Sequence, residues 1–198
     1  AQRLENREFS KLVKDIISVG LSRYNDRYRG TNGDKLFVLY EKYTRRDVSF
    51  LINAGRDYSS TMYGMKRFDD DVFLFVTYHK VSAEEEDREF VEGKPDYADE
   101  FINDVIFKWD SKIGCGPESS YMNDVNSAQR KHLLVKKSDA EKNFYYMGEF
   151  DIIEQHGDVK LDNSGRKRPI TKVTMKMHNA VREDILRYLQ SSINVEAE

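Results

Sequence analysis

Cysteine is almost missing from this 198-residue chain: Cys115 stands alone. That excludes an internal disulfide framework and any zinc site built on several thiolates, and it fits a reducing compartment, so a cytoplasmic protein is expected. No apolar run approaches the roughly 20 residues a helix needs to cross a bilayer, so no membrane partner is expected either. An excess of one charge is also lacking. Lys and Arg number 32 against 35 Asp and Glu, a formal net charge of -3, so a surface for nucleic acid would have to come from segregation of charge along the fold. A phosphate-cradling glycine loop, HExxH, GxSxG and CxxC are all absent, which leaves nucleotide hydrolysis, zinc proteolysis and esterase chemistry without support. The four histidines, His79, His132, His156 and His178, lie far apart, and each reads as a solvated or strand-edge residue.

What is present is a helix, a series of apolar strands, and a closing helix. Phe9, Leu12, Val13, Ile16, Ile17, Leu21 and Tyr24 fall on one helical stripe, with Gly20 weakening its end. RYRGTNGD then breaks the pattern. KLFVLYEKY alternates sides as a strand should. In TRRDVSFLIN, Thr44 stands three residues before Asp47 and ahead of Val48, Leu51 and Ile52, the signature of a capped short helix. VFLFVTYHK, DVIFKW, HLLVKK, NFYYMGEFDII and ITKVTMKM read as strands, and NAVREDILRYLQ as a helix capped by Asn179. Three polar stretches read as loops: SAEEEDREFVEGKPDYADE, GPESSYMNDVNSAQRK and GDVKLDNSGRKRPI. Strands crowd the middle, helices close both ends, and no βα alternation is visible. The expectation is an α+β fold with a strongly curved, mainly antiparallel sheet or partial barrel, flanked by N- and C-terminal helices.

The length suits one domain over 1–198, with 1–30 a helical segment and 34–190 the main body. The start, AQRLENREF, is neither a signal peptide nor an initiator-methionine start, and points to a piece of a longer polypeptide.

Two constellations bear on function. YEKYTRRD, VTYHK, DYADEF, FKWDS and NFYYMGEF each set Tyr or Trp beside a charged or hydrogen-bonding residue, a mixture suited to stacking on bases and meeting phosphates. Trp109 shares a strand face with Val105 and Phe107, so the core claims it as readily as a pocket does. The second constellation is Asp96, then Asp110 and Lys112, which echoes the carboxylates and lysine of metal-dependent nucleases. Such spacing also arises by chance where charges are this dense. A third reading, a protein-docking domain without DNA affinity, has no motif of its own.

Taken in order, LYEKYTRRDVSFLIN, MYGMK, FVTYHK, YADEF, FKWDS, LLVKKSD and FYYMGEF resemble the C-terminal domain of SauUSI-like, ATP-dependent type IV restriction enzymes, over about Leu36 to Leu189. In that family a phospholipase-D-like nuclease and a superfamily 2 helicase precede this domain. The resemblance implies a target-recognition domain for double-stranded DNA containing 5-methylcytosine or 5-hydroxymethylcytosine. It would have no catalysis and no cofactor of its own, ATP and magnesium serving the upstream motor, whose helicase and nuclease domains would be its partners. Reading a C5-methyl group calls for an apolar wall and favours swinging the base into a closed pocket, as SRA-type and PUA-like readers do. On this picture Trp109, Tyr43, Tyr78 and Tyr97 are wall or stacking candidates, and Asp99 or Asp47 faces the cytosine amino group. Arg45, Arg46, Lys80, Ser111, Lys112, Arg166, Lys167 and Arg168 would contact phosphates. The acidic run from Glu84 to Asp87 would lie away from DNA.

Overall fold

The computed structural model describes residues 6–28, 36–79, 99–162 and 164–192. The chain forms two compact units, Ala1–Val38 and Leu39–Glu198. In the first, helix α1 (Arg7–Tyr28) follows from the apolar stripe, and the Asn6 side chain caps it by accepting from the backbone N–H groups of Glu8 and Phe9. Phe9, Leu12, Ile16, Ile17 and Leu21 are exposed along it. No described helix is long and apolar enough to cross a membrane.

The second unit is built on one sheet. Its elements are β1 (Lys42–Tyr43), α2 (Arg45–Leu51), β2 (Met65–Phe68), β3 (Asp71–His79), β4 (Glu100–Phe101), β5 (Ile106–Asp110), α3 (Ser120–Ser127), β6 (Arg130–Ser138), β7 (Phe144–Leu161), β8 (Lys167–Met177) and α4 (Glu183–Gln190). Strand order is β2-β3-β6-β7-β8-β5-β4, with β1 against the start of β7. Neighbours are antiparallel except the parallel pair of β3 and β6.

The sheet curls far enough for its ends to meet. Four strands separate β3, which carries Tyr78, from β4, which carries Phe101, in the order, yet the Phe101 N–H donates to the Tyr78 hydroxyl at 3.3 Å and the rings stack at 6.5 Å. Val72, Leu74 and Val76 of β3 therefore share one core with Phe107 and Trp109 of β5, with Val173, Met175 and Met177 of β8, and with Met122, Val125, Ile185 and Leu189 from α3 and α4. Alternate residues, Phe73, Phe75, Leu134, Phe144 and Tyr146, are buried on the other face, where Tyr43, Val48, Leu51 and Met62 are buried too. Burial on both faces explains why FLFV is a continuous apolar run and not an alternating one. The α+β, curved and mainly antiparallel architecture is the one the sequence pattern implied.

Several elements differ from their sequence reading. Within KLFVLYEKY, residues 36–43 form a turn followed by a two-residue strand, because Tyr40 adopts φ 67, a left-handed conformation that ends extended pairing. The last helix begins at Glu183 with Arg182 as N-cap, four residues beyond Asn179. GPESSYMNDVNSAQRK contains α3, started by Ser119 accepting from the Met122 N–H at 3.3 Å. The polar stretch GDVKLDNSGRKRPI is the end of a long hairpin of β7 and β8, paired through Leu161 and Lys167. Its residues are largely exposed on both faces, so the alternation that marks a half-buried strand never appears. The acidic loop lies outside the described residues over all but its last two positions.

Gly148 carries one consequence that can be measured. β7 slips register against β6 next to it, its φ is +99, and a Cβ there would sit 2.8 Å from Leu39 Cδ2. Gly148→Ala combines a disfavoured backbone with a clash against a movable leucine tip, so a loss of about 1–3 kcal/mol in unfolding free energy is expected by chemical denaturation. Gly55→Ala, also at positive φ but with open space around the added carbon, should cost less.

Candidate functional site

The Thr44 hydroxyl accepts from the Asp47 N–H at 3.1 Å, and the Asp47 carboxylate accepts from the Thr44 N–H at 2.8 Å, a complete capping box. It holds Arg45 and Arg46 at the first turn of α2, on the rim of a cleft of about 580 Å³. The opposite walls come from the Ser59–Thr61 turn, from Tyr63, and from the β6–β7 connection with Lys136, Asp139, Glu141, Lys142 and Phe144. A volume of this size lies within the usual range of small-ligand sites.

Arg45 is the unusual member. Its guanidinium stands 5.0 Å from the Tyr63 ring centroid, 5.1 Å from that of Phe144 and 5.9 Å from that of Phe75. Its buried Nε has no hydrogen-bond partner, and among the described residues no carboxylate pairs with it. Burial lowers its pKa. The aromatic faces offset part of that desolvation, and no protein acceptor takes up the Nε donor. Lys136, by contrast, is neutralised in place: its ammonium donates to the Glu141 carbonyl at 3.1 Å and pairs with Asp139 at 3.1 Å. Burial would raise the Glu141 carboxyl, but the Tyr188 hydroxyl, the Lys137 N–H and Lys42 outweigh it and hold Glu141 ionised below its ordinary range. Arg46 pairs with Asp57 at 3.4 Å on the solvent-exposed rim, a weak contact that a phosphate could displace. Lys142 is exposed. The cleft thus offers cationic donors, two hydroxyls from Ser59 and Ser60, an exposed ring and two carboxylates, a set that suits an anionic, planar ligand. Among the described residues no group of three His, Cys, Asp or Glu is placed to hold a metal.

The residues singled out in the sequence fall into separate places. Tyr43, Arg45, Arg46 and Asp47 gather at β1 and α2; of these the two arginines line the cleft, Tyr43 is 3 % exposed with its ring edge toward Tyr146, and Asp47 is engaged in the cap. Trp109 is 4 % exposed and stacks on Tyr121 at 6.2 Å. Asp99 is buried and accepts from the Asp110 N–H at 3.0 Å. The Ser111 hydroxyl donates to the Cys115 carbonyl at 2.7 Å and accepts from the Thr171 N–H at 2.8 Å, tying a loop to β8, while Lys112 is exposed beside it. Asp110 pairs with Lys160 at 2.6 Å. Tyr78 uses its hydroxyl on Phe101. Arg166, Lys167 and Arg168 lie exposed at the hairpin end, Arg166 paired with Asp162. Lys80, Tyr97 and Asp96 lie outside the described residues. Sequence reasoning missed Tyr63, Lys136, Lys142 and Phe144 as cleft residues. All but Lys142 stand inside the quoted motifs MYGMK, LLVKKSD and FYYMGEF, so the order of motifs carried that information before their individual residues did.

Behind the cleft, on the same sheet face, lies a buried polar cluster. His132 stacks on Phe73 at 4.6 Å, shares a hydrogen bond with the Tyr146 hydroxyl at 3.0 Å, and lies 3.2 Å from Asp71, which also pairs with Arg130. Burial pushes the imidazole below its ordinary value of 6.5 even though Asp71 pulls the other way. The unfolded chain therefore takes up a proton near pH 6.5 that the folded protein refuses, and stability should fall as pH drops below that value. Titration of the His132 ring protons by NMR should give an apparent pKa under 6.5; a value at or above it would mean that Asp71 outweighs burial.

The sequence profile of DUF3427, a domain of unknown function, matches residues 37–189, and the chain belongs to that family. Among solved structures it is similar to the sulfur-binding and SRA domains of ScoMcrA complexed with phosphorothioated DNA (10 % identity, 78 % of this chain and 45 % of that one, TM-score 0.41). It is also similar to SUVH6 from Arabidopsis thaliana in complex with SAM (9 % identity, 84 % and 33 %, TM-score 0.42) and to the MspJI restriction endonuclease in complex with a 27-mer oligonucleotide (11 % identity, 60 % and 37 %, TM-score 0.36). The chain spans less than half the length of each of these proteins. No curated protein sequence matches it.

Proposed function

We propose that the unit from Leu39 onward is a DNA-binding module that recognises a modified cytosine, 5-methyl or 5-hydroxymethyl, within a larger SauUSI-like type IV restriction enzyme of the cytoplasm. The observation that carries this reading is Arg45, a guanidinium without a carboxylate partner, held against aromatic rings in a cleft with an exposed tyrosine at its mouth. The ordered series of motifs across most of the chain supports the same reading.

The chemistry follows from the lining. A duplex brings phosphates, which Arg46 and Lys142 meet at the rim. A base swung out of the stack lies on the face of Tyr63, worth about 1–3 kcal/mol. Arg45 then donates to the cytosine carbonyl or to the adjoining phosphate, and Asp139 accepts from the exocyclic amino group, the edge that distinguishes cytosine from thymine. The C5-methyl packs on the apolar wall made by Phe144 and the Tyr63 ring edge. On this reading recognition lies at Tyr63 and not at Trp109, and Asp139, 57 % exposed although paired with Lys136, takes the place of Asp99 and Asp47, which are buried. The module has no reaction of its own on this reading; cleavage and ATP-driven motion belong to nuclease and helicase domains of the same polypeptide.

The deciding experiment is fluorescence-anisotropy binding, without metal, to paired duplexes that differ only in cytosine methylation, at two salt concentrations. A preference for the modified duplex that persists as salt rises is the expected result. Equal affinities that vanish together at higher salt would reduce the interaction to phosphate attraction and remove the reader.

A further inference from the structure

Charge along this chain is segregated. Residues 42–68 carry six Lys and Arg against two Asp, in a protein whose formal net charge is -3. Part of that cationic segment belongs to the cleft. Of the rest, Lys42 pairs with Glu141 and Arg67 with Asp124, while Arg56 and Lys66 form a separate group on the turn and strand that follow α2. The Arg56 guanidinium lies 4.6 Å over the Tyr58 ring, Lys66 Nζ lies 5.2 Å over the same ring and 5.9 Å over Phe68, and Phe68 meets Tyr58 edge-on at 5.4 Å. Among the described residues neither Arg56 nor Lys66 has a carboxylate within salt-bridge distance. Arg56 is exposed. A cation resting on a ring is positioned without using its N–H donors, which then point to solvent, free to bind an anion.

The group is anchored to the cleft. The Tyr58 N–H donates to the Ser49 hydroxyl of α2 at 3.1 Å, Ser59 next to it lines the cleft, and Asp57 between the two cationic groups pairs with Arg46 on the rim. We infer that Arg56 and Lys66, set over Tyr58 and Phe68, form a second phosphate-binding station that holds the DNA backbone beside the base cleft. The inference rests on the proposed DNA-reading function and adds to it a set of contacts that carry affinity without carrying specificity. Its chemistry is that of a polyanion with repeated phosphates, since a single carboxylate ligand would leave one of the two cations held by the Tyr58 ring unmatched.

Arg56→Ala and Lys66→Ala should each weaken binding several-fold at low salt, equally for methylated and unmethylated duplexes, and each should lower the slope of log affinity against log salt by about one. The ratio between the two duplexes should stay at the wild-type value, and Arg56→Lys should restore most of the affinity. Circular dichroism melts establish that each variant is folded, which the surface position of Arg56 favours. If the wild-type protein binds duplex DNA and both variants keep its affinity and salt slope, the station is wrong while the reader stands. A methylation ratio that collapses in these variants would overturn the station as well, because the residues would then belong to base recognition. If the wild-type protein binds no duplex at any salt concentration, the parent reading fails first and the station with it.

Discussion

Trp109→Ala is expected to lower the unfolding free energy by about 3–5 kcal/mol. The indole is 4 % exposed, belongs to the core shared by β3, β5, β8, α3 and α4, and stacks on Tyr121. Removing it leaves a cavity where two ends of a curled sheet and two helices converge, with few ways to collapse. Against a typical total of about 5–15 kcal/mol that is a fifth of the stability or more, and the variant should melt well below the wild-type protein. Trp109→Phe should cost less, since it keeps the ring stack and most of the volume. Urea denaturation followed by circular dichroism measures both. Intrinsic fluorescence gives an independent check, because the chain has one tryptophan: a buried indole emits at short wavelength and should not shift when DNA is added. A stable Trp109→Ala protein that has lost DNA affinity would reverse the assignment and put the indole in a binding pocket.

The core position of Trp109 illustrates what the sequence could and could not convey. DVIFKW alternates cleanly, so the strand and its inward face are legible from period two alone. Whether that inward face meets a core or a pocket depends on how far the sheet curls and on what α3 brings beneath it. Both depend on pairings between residues more than sixty positions apart, such as Trp109 with Val173. Local signals fared well where a local interaction decides: the Thr44–Asp47 capping box forms as its spacing implies. They failed where tertiary context overrides them. Tyr40 turns left-handed because its N–H is held by the Tyr146 carbonyl at 2.8 Å and its hydroxyl by the Ala180 carbonyl at 2.6 Å, which ends an otherwise strand-like alternation. The hairpin of β7 and β8 extends beyond the core, so its outer half has no buried face to leave a pattern in the sequence. Of the cleft, the two arginines were visible as a pair after a predicted cap, whereas Tyr63, Asp139 and Lys142 come from segments that only the β6–β7 connection and the Ser59–Thr61 turn bring to the same place.

Tyr63→Ala and Arg45→Ala should have the largest effects on recognition. Tyr63 is 69 % exposed, far more than packing requires of a tyrosine, and follows Met62, which is fully buried and fixes the direction of the chain. Truncating an exposed ring costs the fold little, so the loss should appear in binding: about 1–3 kcal/mol of stacking, or roughly 5- to 150-fold in Kd for the methylated duplex. Tyr63→Phe should bind nearly as well, since the ring face supplies the energy. Arg45→Ala removes the unpaired guanidinium and should lower affinity by a comparable factor, but with a different signature. Arg45→Lys restores charge without the planar fork, so it should recover the salt dependence and not the preference for modified cytosine. A duplex series with cytosine, 5-methylcytosine and 5-hydroxymethylcytosine at one position separates these contributions. If Tyr63→Ala and Arg45→Ala both keep the wild-type ratio between modified and unmodified DNA, the cleft is not where the base is read. If the ratio falls toward one while residual binding remains salt-dependent, Tyr63 and Arg45 provide the specificity and the surrounding cations the affinity, a division that lets one module search unmodified DNA weakly and stop at a modified base.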